Sequence, residues 1–443
     1  MLVFLPPTPR LFCCCPGSPL DHACGYFNVK PPLTQAALQL LEGGMAFFPA
    51  LIKAMDAAVE SIQLETYIFD FHHAGADVAS ALVRAAKRGV RVRVMVDGIG
   101  TAPLPAAWAE QFLSAGLQWC VYSPLGTGAV GRSLGLLHPN RWRRLHRKLC
   151  VVDSRLAFCG GINVLDDFYD PNHGMLTAAR FDFAVLATGS LVLEVADAME
   201  LLWWRVQAGY SARQNHLGAA WDKFKAAGYG GRTDANRVTL DAPATSTAAP
   251  GSRLRAALVL RDNLRNRRSI ERAYRKAIGS ARHEVVIANA YFLPGRALRR
   301  ALMAAARRGV RVTLLLQGKY EYFMQYHAVR PVYGALLAAG VEIHEYERSF
   351  LHAKVAVVDG HWATVGSSNL DPLSMLLARE ANVVVEDKVF ADDLQRRLQA
   401  AIADHGKRVD PHAYRGRSLS QRLKGWLAYA LMRTAVVLTG RRY

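Results

Sequence analysis

The chain of 443 residues carries 55 Lys and Arg against 36 Asp and Glu, a formal net charge of +19. Such a length supports two sizeable cores, and such a charge points to a polyanionic partner, either nucleic acid or an anionic membrane surface. The seven cysteines are odd in number and form no C-x-x-C pair, which argues for a reducing compartment, and no apolar run approaches the roughly 18–20 residues that span a bilayer.

Residues 1–35 are Pro-rich, contain Cys13–Cys15, and lack the apolar core and cleavage pattern of a signal peptide. They read as a poorly ordered leader, with lipidation of a cysteine as the sharper alternative. A first half is expected over 36–208. LQLLEGGMAFFPALIKAMDAAV supplies a turn and an amphipathic helix, and Ser61–Phe69 a core strand carrying Glu65. Asp77–Arg88 reads as an Ala-rich helix stopped by Gly89, and Val90–Val96 as the next strand. Residues 209–251, rich in Ala, Gly, Thr and Pro, read as a linker.

The second half, 252–408, repeats this order with a strand at Glu284–Phe292, a helix at Arg296–Arg308, a stop at Gly309 and a strand at Val310–Gln317. AAKRGVRVRVMVDG at 85–98 matches AAARRGVRVTLLLQG at 304–318, which marks an internal duplication. Strand–helix–strand units predict an α/β fold with a largely parallel sheet in each half.

Each half also carries an extended motif. LHRKLCVVDSRLAFCGGIN holds His146, Lys148, Asp153 and Asn163, and LHAKVAVVDGHWATVGSSNLD holds His352, Lys354, Asp359 and Asn369. His-to-Asn spacing is 163 − 146 = 17 in the first and 369 − 352 = 17 in the second. Both openings are apolar and β-branched and read as buried strands, on which i and i+2 share a face roughly 6.6–7 Å apart. Two such strands side by side would converge two imidazoles and two ammonium groups on one spot. That set suits a phosphodiester: lysines hold the non-bridging oxygens while one His attacks and the other protonates the leaving oxygen. Asp153 and Asp359 sit at an odd offset, facing away, and read as electrostatic supports. Asn163, Asn369 and Ser367 are expected to contact phosphoryl oxygens. Cys150 reads as core packing. No metal is implied, because His22 and the His72–His73 pair lack Cys or carboxylate partners at ligand spacing. With no Walker loop or dinucleotide fingerprint, no cofactor is expected.

With these two motifs the sequence resembles the phospholipase D superfamily, and within it the bacterial cardiolipin synthases of the B type. LETYIF, VVIANAYFLPG, AARRGVRV and HWATVGSSNLDPLS carry the likeness. The resemblance implies two similar αβα halves in a pseudo-twofold arrangement around one shared active site. It implies transfer of a phosphatidyl group from one phosphatidylglycerol to another through a phosphohistidine, with release of glycerol, His146 as nucleophile and His352 as acid and base. A hydrolase or nuclease of the same superfamily is the alternative, as is a non-catalytic basic scaffold. In the family a carboxylate after each motif orients the catalytic imidazole. Asp182 and Glu380 occupy that place, with a plain ion pair as the other reading. Glu65 raises the same question, its counterpart being read as Asn289.

Several features speak to the partner. Arg141, Trp142, Arg143 and Arg144 precede the first motif, and Tyr320–Tyr326 is a Met–aromatic cluster; both suit lipid phosphates or stacked bases. Arg261–Lys276 reads as a solvated helix face or a headgroup contact. Within 409–443, Gly425–Leu438 is too short to span and is flanked by Arg and Lys. It reads as an interfacial helix or as one packed on the domain. Phosphatidylglycerol, other anionic phospholipids and a membrane surface are therefore the expected partners, with no nucleic acid. The expected location is peripheral, on the cytoplasmic side of the bacterial inner membrane. Oligomeric state is left open.

Overall fold

The computed structural model describes residues 37–124, 143–213 apart from 172, 254–262, 266–319, 323–371 and 378–416, with single residues of 218–225 and 418–431. The leader, most of the linker, Arg141, Trp142, Tyr320–Tyr322 and residues 432–443 lie outside the described residues.

The first half runs β1 (Leu38–Glu42), α1 (Gly43–Asp56), β2 (Ser61–Thr66), α2 (Ala74–Lys87), β3 (Arg91–Asp97), α3 (Ala106–Ser114) and β4 (Gln118–Tyr122). It continues with β5 (Arg144–Leu145), β6 (Lys148–Val152), β7 (Leu156–Gly160), β8 (Tyr169–Asp170), β9 (Gly174–Met175), β10 (Phe183–Ala187) and α4 (Ser190–Arg213). The second half runs β11 (Arg255–Arg261), α5 (Ser269–Ser280), β12 (Glu284–Asn289), α6 (Arg296–Arg307), β13 (Arg311–Gln317), α7 (Phe323–Ala338) and β14 (Glu342–Tyr346). Then follow β15 (Lys354–Val358), β16 (Trp362–Gly366), β17 (Ala378–Glu386), α8 (Lys388–His405), β18 (Gly406–Arg408) and α9 (Pro411–Arg415).

Strand order is β1-β10-β7-β6-β2-β3-β4 in the first sheet and β11-β17-β16-β15-β12-β13-β14-β18 in the second. Along these two orders β2–β3–β4 and β12–β13–β14 pair in parallel and the other described neighbours are antiparallel, with β5 added in parallel to β17, so the sheets are mixed rather than largely parallel. The cause is the motif itself. β6 returns as β7 through a tight turn at Asp153 and Ser154, both at positive φ, and β15 returns as β16 through Asp359 and Gly360. A hairpin of that length permits only antiparallel pairing. The opening LQLLE is likewise an edge strand on β10, not a turn.

Alternation along the motif strands divides the packing. Leu149, Val151, Val355 and Val357 enter one core cluster that contains residues of both sheets, of α4 and of α8. Cys150 and Val152 point to the cluster under α1 and α2, whereas Ala356 and Val358 point to that under α5, α6 and α7. The two halves therefore share a hydrophobic core, and their relative placement is fixed by apolar burial.

Candidate active site

Each motif histidine is held by the opposite half. β5 pairs with the start of β17, matching Leu145 to Arg379, and the His146 N–H donates to the Arg379 carbonyl at 3.0 Å. The mirrored contact is an isolated bridge between Phe181 and Leu351, beside which the His352 N–H donates to the Phe181 carbonyl at 2.9 Å. The histidines therefore precede the motif strands, which begin at Lys148 and Lys354, instead of lying on them. A longer strand would pair each His within its own sheet. Ending the strand one turn early frees the backbone for the other half.

The carboxylates follow the same exchange. His146 Nδ1 lies 3.0 Å from Glu380 Oε2, and His352 Nδ1 lies 2.6 Å from Asp182 Oδ2. The sequence grouped each carboxylate with the histidine of its own motif; spatially each serves the other. An Nδ1–H donated to a carboxylate leaves Nε2 as the free lone pair of the neutral ring.

Between them sit the lysines. Lys148 Nζ donates to the His146 carbonyl at 2.6 Å, and Lys354 Nζ to the His352 carbonyl. Burial, helped by the neighbouring Lys354 ammonium and opposed by Glu380, pushes Lys148 down to about 7. Burial also holds both imidazoles below their ordinary value, His352 furthest, with Lys354 and Lys148 adding to it. Asp182 is pushed up to about 6 by burial, in part offset by Lys354. Burial acts on Glu380 in the same sense, but His146, Lys148 and Ser367 outweigh it and keep this carboxyl low. A phosphate diester brought here would meet two ammonium groups in a water-poor setting, where charge interactions are strong.

Other predicted residues take different places. Ser367 Oγ is fully buried and donates to Glu380 Oε2 at 2.5 Å while accepting from the Ala381 N–H, so it braces the carboxylate and does not face a phosphate. Its counterpart is Gly161, where an added Cβ would stand 2.2 Å from Asp182 Oδ1. Asn163 turns its amide oxygen to the Ile68 N–H at 3.2 Å, leaving its NH2 as donor, and Asn369 is buried. Asp153 accepts from the Val59, Glu60 and Ser61 N–H groups, and Asp359 from those of Arg282, His283 and Glu284, all within 2.8–2.9 Å. They pin the starts of β2 and β12, about 16 Å along the strand from each motif lysine, and do not support the site electrostatically.

Glu65 belongs to another pair. Arg147 grips it through two bonds of 2.6 and 2.8 Å, both side chains buried, on the strand face opposite Lys148. Strand register makes Ala288, not Asn289, its counterpart: Glu65 opposes Leu149 in β6 and Ala288 opposes Val355 in β15. Arg147 is replaced in the second half by Ala353.

Three further residues complete the site. The Tyr67 ring lies 4.9 Å from the His146 ring and 5.5 Å from Lys148 Nζ. The Leu145 N–H donates to Asp97 Oδ2 at 2.7 Å, and the Leu351 N–H to Gln317 Oε1 at 3.3 Å. Asp97 and Gln317 end the matched strands β3 and β13, so each half clamps the residue before its histidine. The signal in the sequence was VMVDG against LLLQG, a polar residue closing each apolar run. Among the described residues no group of His, Cys, Asp and Glu is arranged to hold a metal ion.

Comparison with known proteins agrees with this geometry. The family model "Cardiolipin synthase, PLD-like domain" matches residues 51–179 and 274–402, one segment per half. Cardiolipin synthase B of Salmonella typhi is 37% identical over 416 residues, covering 91% of this chain and 89% of that protein. Cardiolipin synthase B of Escherichia coli K12 is 37% identical over 407 residues, with the same 91% and 89% coverage. The crystal structure of phosphatidylserine synthase from Haemophilus influenzae Rd KW20 shares the fold, with a TM-score of 0.61 at 14% identity, covering 90% of this chain and 94% of that one. Two matched halves, two complete motifs and one composite centre lead to a single assignment: the chain belongs to the cardiolipin synthase family of phospholipase D-like proteins.

Proposed function

We propose that this centre makes cardiolipin by ping-pong phosphatidyl transfer, with His146 as nucleophile and His352 as acid and base. The observation that carries the reading is the pair of crossed imidazole–carboxylate contacts flanking two buried lysines. Lys148, Lys354 and the NH2 groups of Asn163 and Asn369 hold the phosphoryl oxygens of the first phosphatidylglycerol. His146 Nε2 attacks phosphorus, the P–O bond to the headgroup glycerol breaks, and His352, whose charged form the bound anionic diester favours against burial and the lysines, gives that oxygen its proton from Nε2. The low-lying Glu380 carboxylate offsets the positive ring of the phosphohistidine. Neutral His352 then takes the proton of a hydroxyl on the second phosphatidylglycerol. That oxygen attacks phosphorus and His146 leaves, restoring the starting state. Nδ1–H donation fixes both rings so that Nε2 does the chemistry.

The enzyme acts at a membrane surface, on the cytoplasmic side of the bacterial inner membrane. No helix among the described residues is long and apolar enough to cross a membrane. In the C-terminal segment Leu423, Trp426, Leu427 and Leu431 are exposed at helical spacing, which suits shallow insertion.

The test of roles uses phosphatidylglycerol with a radiolabelled phosphate and a base quench, which preserves phosphohistidine. Label should stay on wild-type protein, persist in His352→Asn and vanish in His146→Asn. The opposite pattern would exchange the two roles, and label in neither would remove the covalent step. Phosphatidic acid in place of cardiolipin as the main product would make water the acceptor.

A further inference from the structure

The internal duplication supplies its own control for surface charge. α1 and α2 of the first half correspond to α5 and α6 of the second, each pair packed together on the outer face of its sheet. In the first pair Lys53, Arg84 and Lys87 face Asp56 and Asp77, giving 3 − 2 = +1. Arg84 and Asp56 form an ion pair at 2.8 Å.

The second pair is built otherwise. α5 carries Arg272, Arg275 and Lys276, and α6 carries Arg296, Arg299, Arg300 and Arg307. Their one carboxylate is Glu271, which is buried, giving 7 − 1 = +6. Six of the seven cations are exposed, Arg299 is half-buried, and none forms an ion pair with a described residue. A face that only needs hydration is served by mixed charge, as in the first half. Like charges without partners repel one another, and a polyanion relieves that repulsion.

We infer that the α5–α6 face is where the enzyme docks on an anionic bilayer, so that one half of the duplicated body reads lipid charge and the other does not. Two side-by-side helices offer a broad surface for a planar partner. The partner is lipid rather than nucleic acid because an apolar row lies on the same layer. Ala428 is buried in the cluster that α5, α6 and α7 cover, and around it Leu423, Trp426, Leu427 and Leu431 stay exposed at 64%, 61%, 54% and 52%. Basic side chains and exposed Trp and Leu on one layer fit a headgroup zone over acyl chains. The assignment rests on the lipid-transferring reading of the site.

The test is vesicle sedimentation of the full chain on phosphatidylglycerol mixed equally with phosphatidylcholine, and on phosphatidylcholine alone. The variant Arg272→Glu/Arg275→Glu/Arg296→Glu/Arg300→Glu should bind the anionic vesicles roughly a hundredfold more weakly at low salt. Lys53→Glu/Lys87→Glu in the first half should bind nearly as wild type. Both should keep turnover on short-chain, monomeric phosphatidylglycerol, which also reports that they fold. If charge reversal prevents folding, the same four changes to Gln should give a smaller loss in the same direction. Equal sedimentation of wild type and the second-half variant overturns the proposal, as does an equal loss from the first-half variant. Loss of single-stranded RNA binding with vesicle binding intact would assign the face to nucleic acid. A wild type that binds vesicles yet transfers nothing on the soluble substrate would fault the transferase reading and leave the docking face standing.

Discussion

The two halves share a backbone and differ in how they stabilise the same atoms. Asp182 and Glu380 hold equivalent positions, yet burial raises the first while Ser367 and the facing cations keep the second low. Gly161 makes room for one carboxylate where Ser367 donates to the other. Asp97 clamps with a charge that Arg144 balances at 3.1 Å, and Gln317 with a neutral amide. A buried Glu65–Arg147 pair stands where the second half has Ala288 and Ala353. Strand register and the exchange across the interface are thus common to both halves, whereas the electrostatics around each imidazole are individual. Near-symmetric geometry is compatible with unequal roles.

The largest effect should come from the histidines. His146→Ala and His352→Ala should each lower transfer by roughly 10⁴-fold or more, with the double variant no worse than either single, because one centre is broken in all three. Independent activity of the halves would appear as a residual rate in each single variant, measured by steady-state kinetics.

Lys148→Met should remove nearly all activity and yet raise stability. The lysine falls from 10.5 to about 7 on folding, so the unfolded chain binds more protons between those values and stability climbs as pH rises through that window. Below about 7 the penalty is complete, on the order of a few kcal/mol, and Met abolishes it. Thermal melts should show the variant above wild type at pH 7, with the gap closing toward pH 10. A constant gap would place the lysine in a solvated position.

A smaller change separates the clamps. Asp97→Ala should cost roughly 10²-fold in kcat with KM nearly constant, and Gln317→Ala about tenfold, because the charged clamp is shorter and stronger. Asp97→Asn should recover part of the loss, since one amide oxygen still accepts from Leu145. Equal losses at both positions would mean the clamps are interchangeable despite their charge.

Least should follow from making the first half resemble the second. Arg147→Ala alone strands a buried carboxylate and should destabilise by about 3–5 kcal/mol, while Glu65→Ala/Arg147→Ala should recover much of it with activity little altered. Denaturant melts of the two variants give the comparison directly. A double variant as unstable as the single would show the pair to be more than an ion pair.

Much of this was legible in the chain. The motif spacing and the duplication depend on local register, which the sequence writes out, whereas the histidines were expected on the motif strands and stand just before them. The crossed carboxylates did not show, because Asp182 meets a histidine 170 positions away and Glu380 one 234 positions away. Nothing local distinguishes that from a contact within a half. Glu65 was matched to Asn289, one residue from its true counterpart Ala288; on a strand one residue changes the face. The parallel sheet was overestimated for a similar reason. Helical crossovers announce themselves by a 3.6-residue period, whereas the three-residue return at Asp153 leaves little trace. Ser367 was expected at a phosphoryl oxygen, but its side chain is committed to Glu380, a contact that joins two strands and leaves no local trace.

The backbone bridges that carry the histidines bear on how the protein is made. Each joins segments far apart in the chain, and contacts of such separation close late because loop-closure entropy delays them. During synthesis, residues 37–208 can gather their own sheet while His146 still has no Arg379 carbonyl to hold it and no Glu380 to orient its ring. The phosphate-attacking centre comes into being only when the second half has emerged and docked. A partly made chain therefore holds both motif residues of its first half without a centre in which they can act.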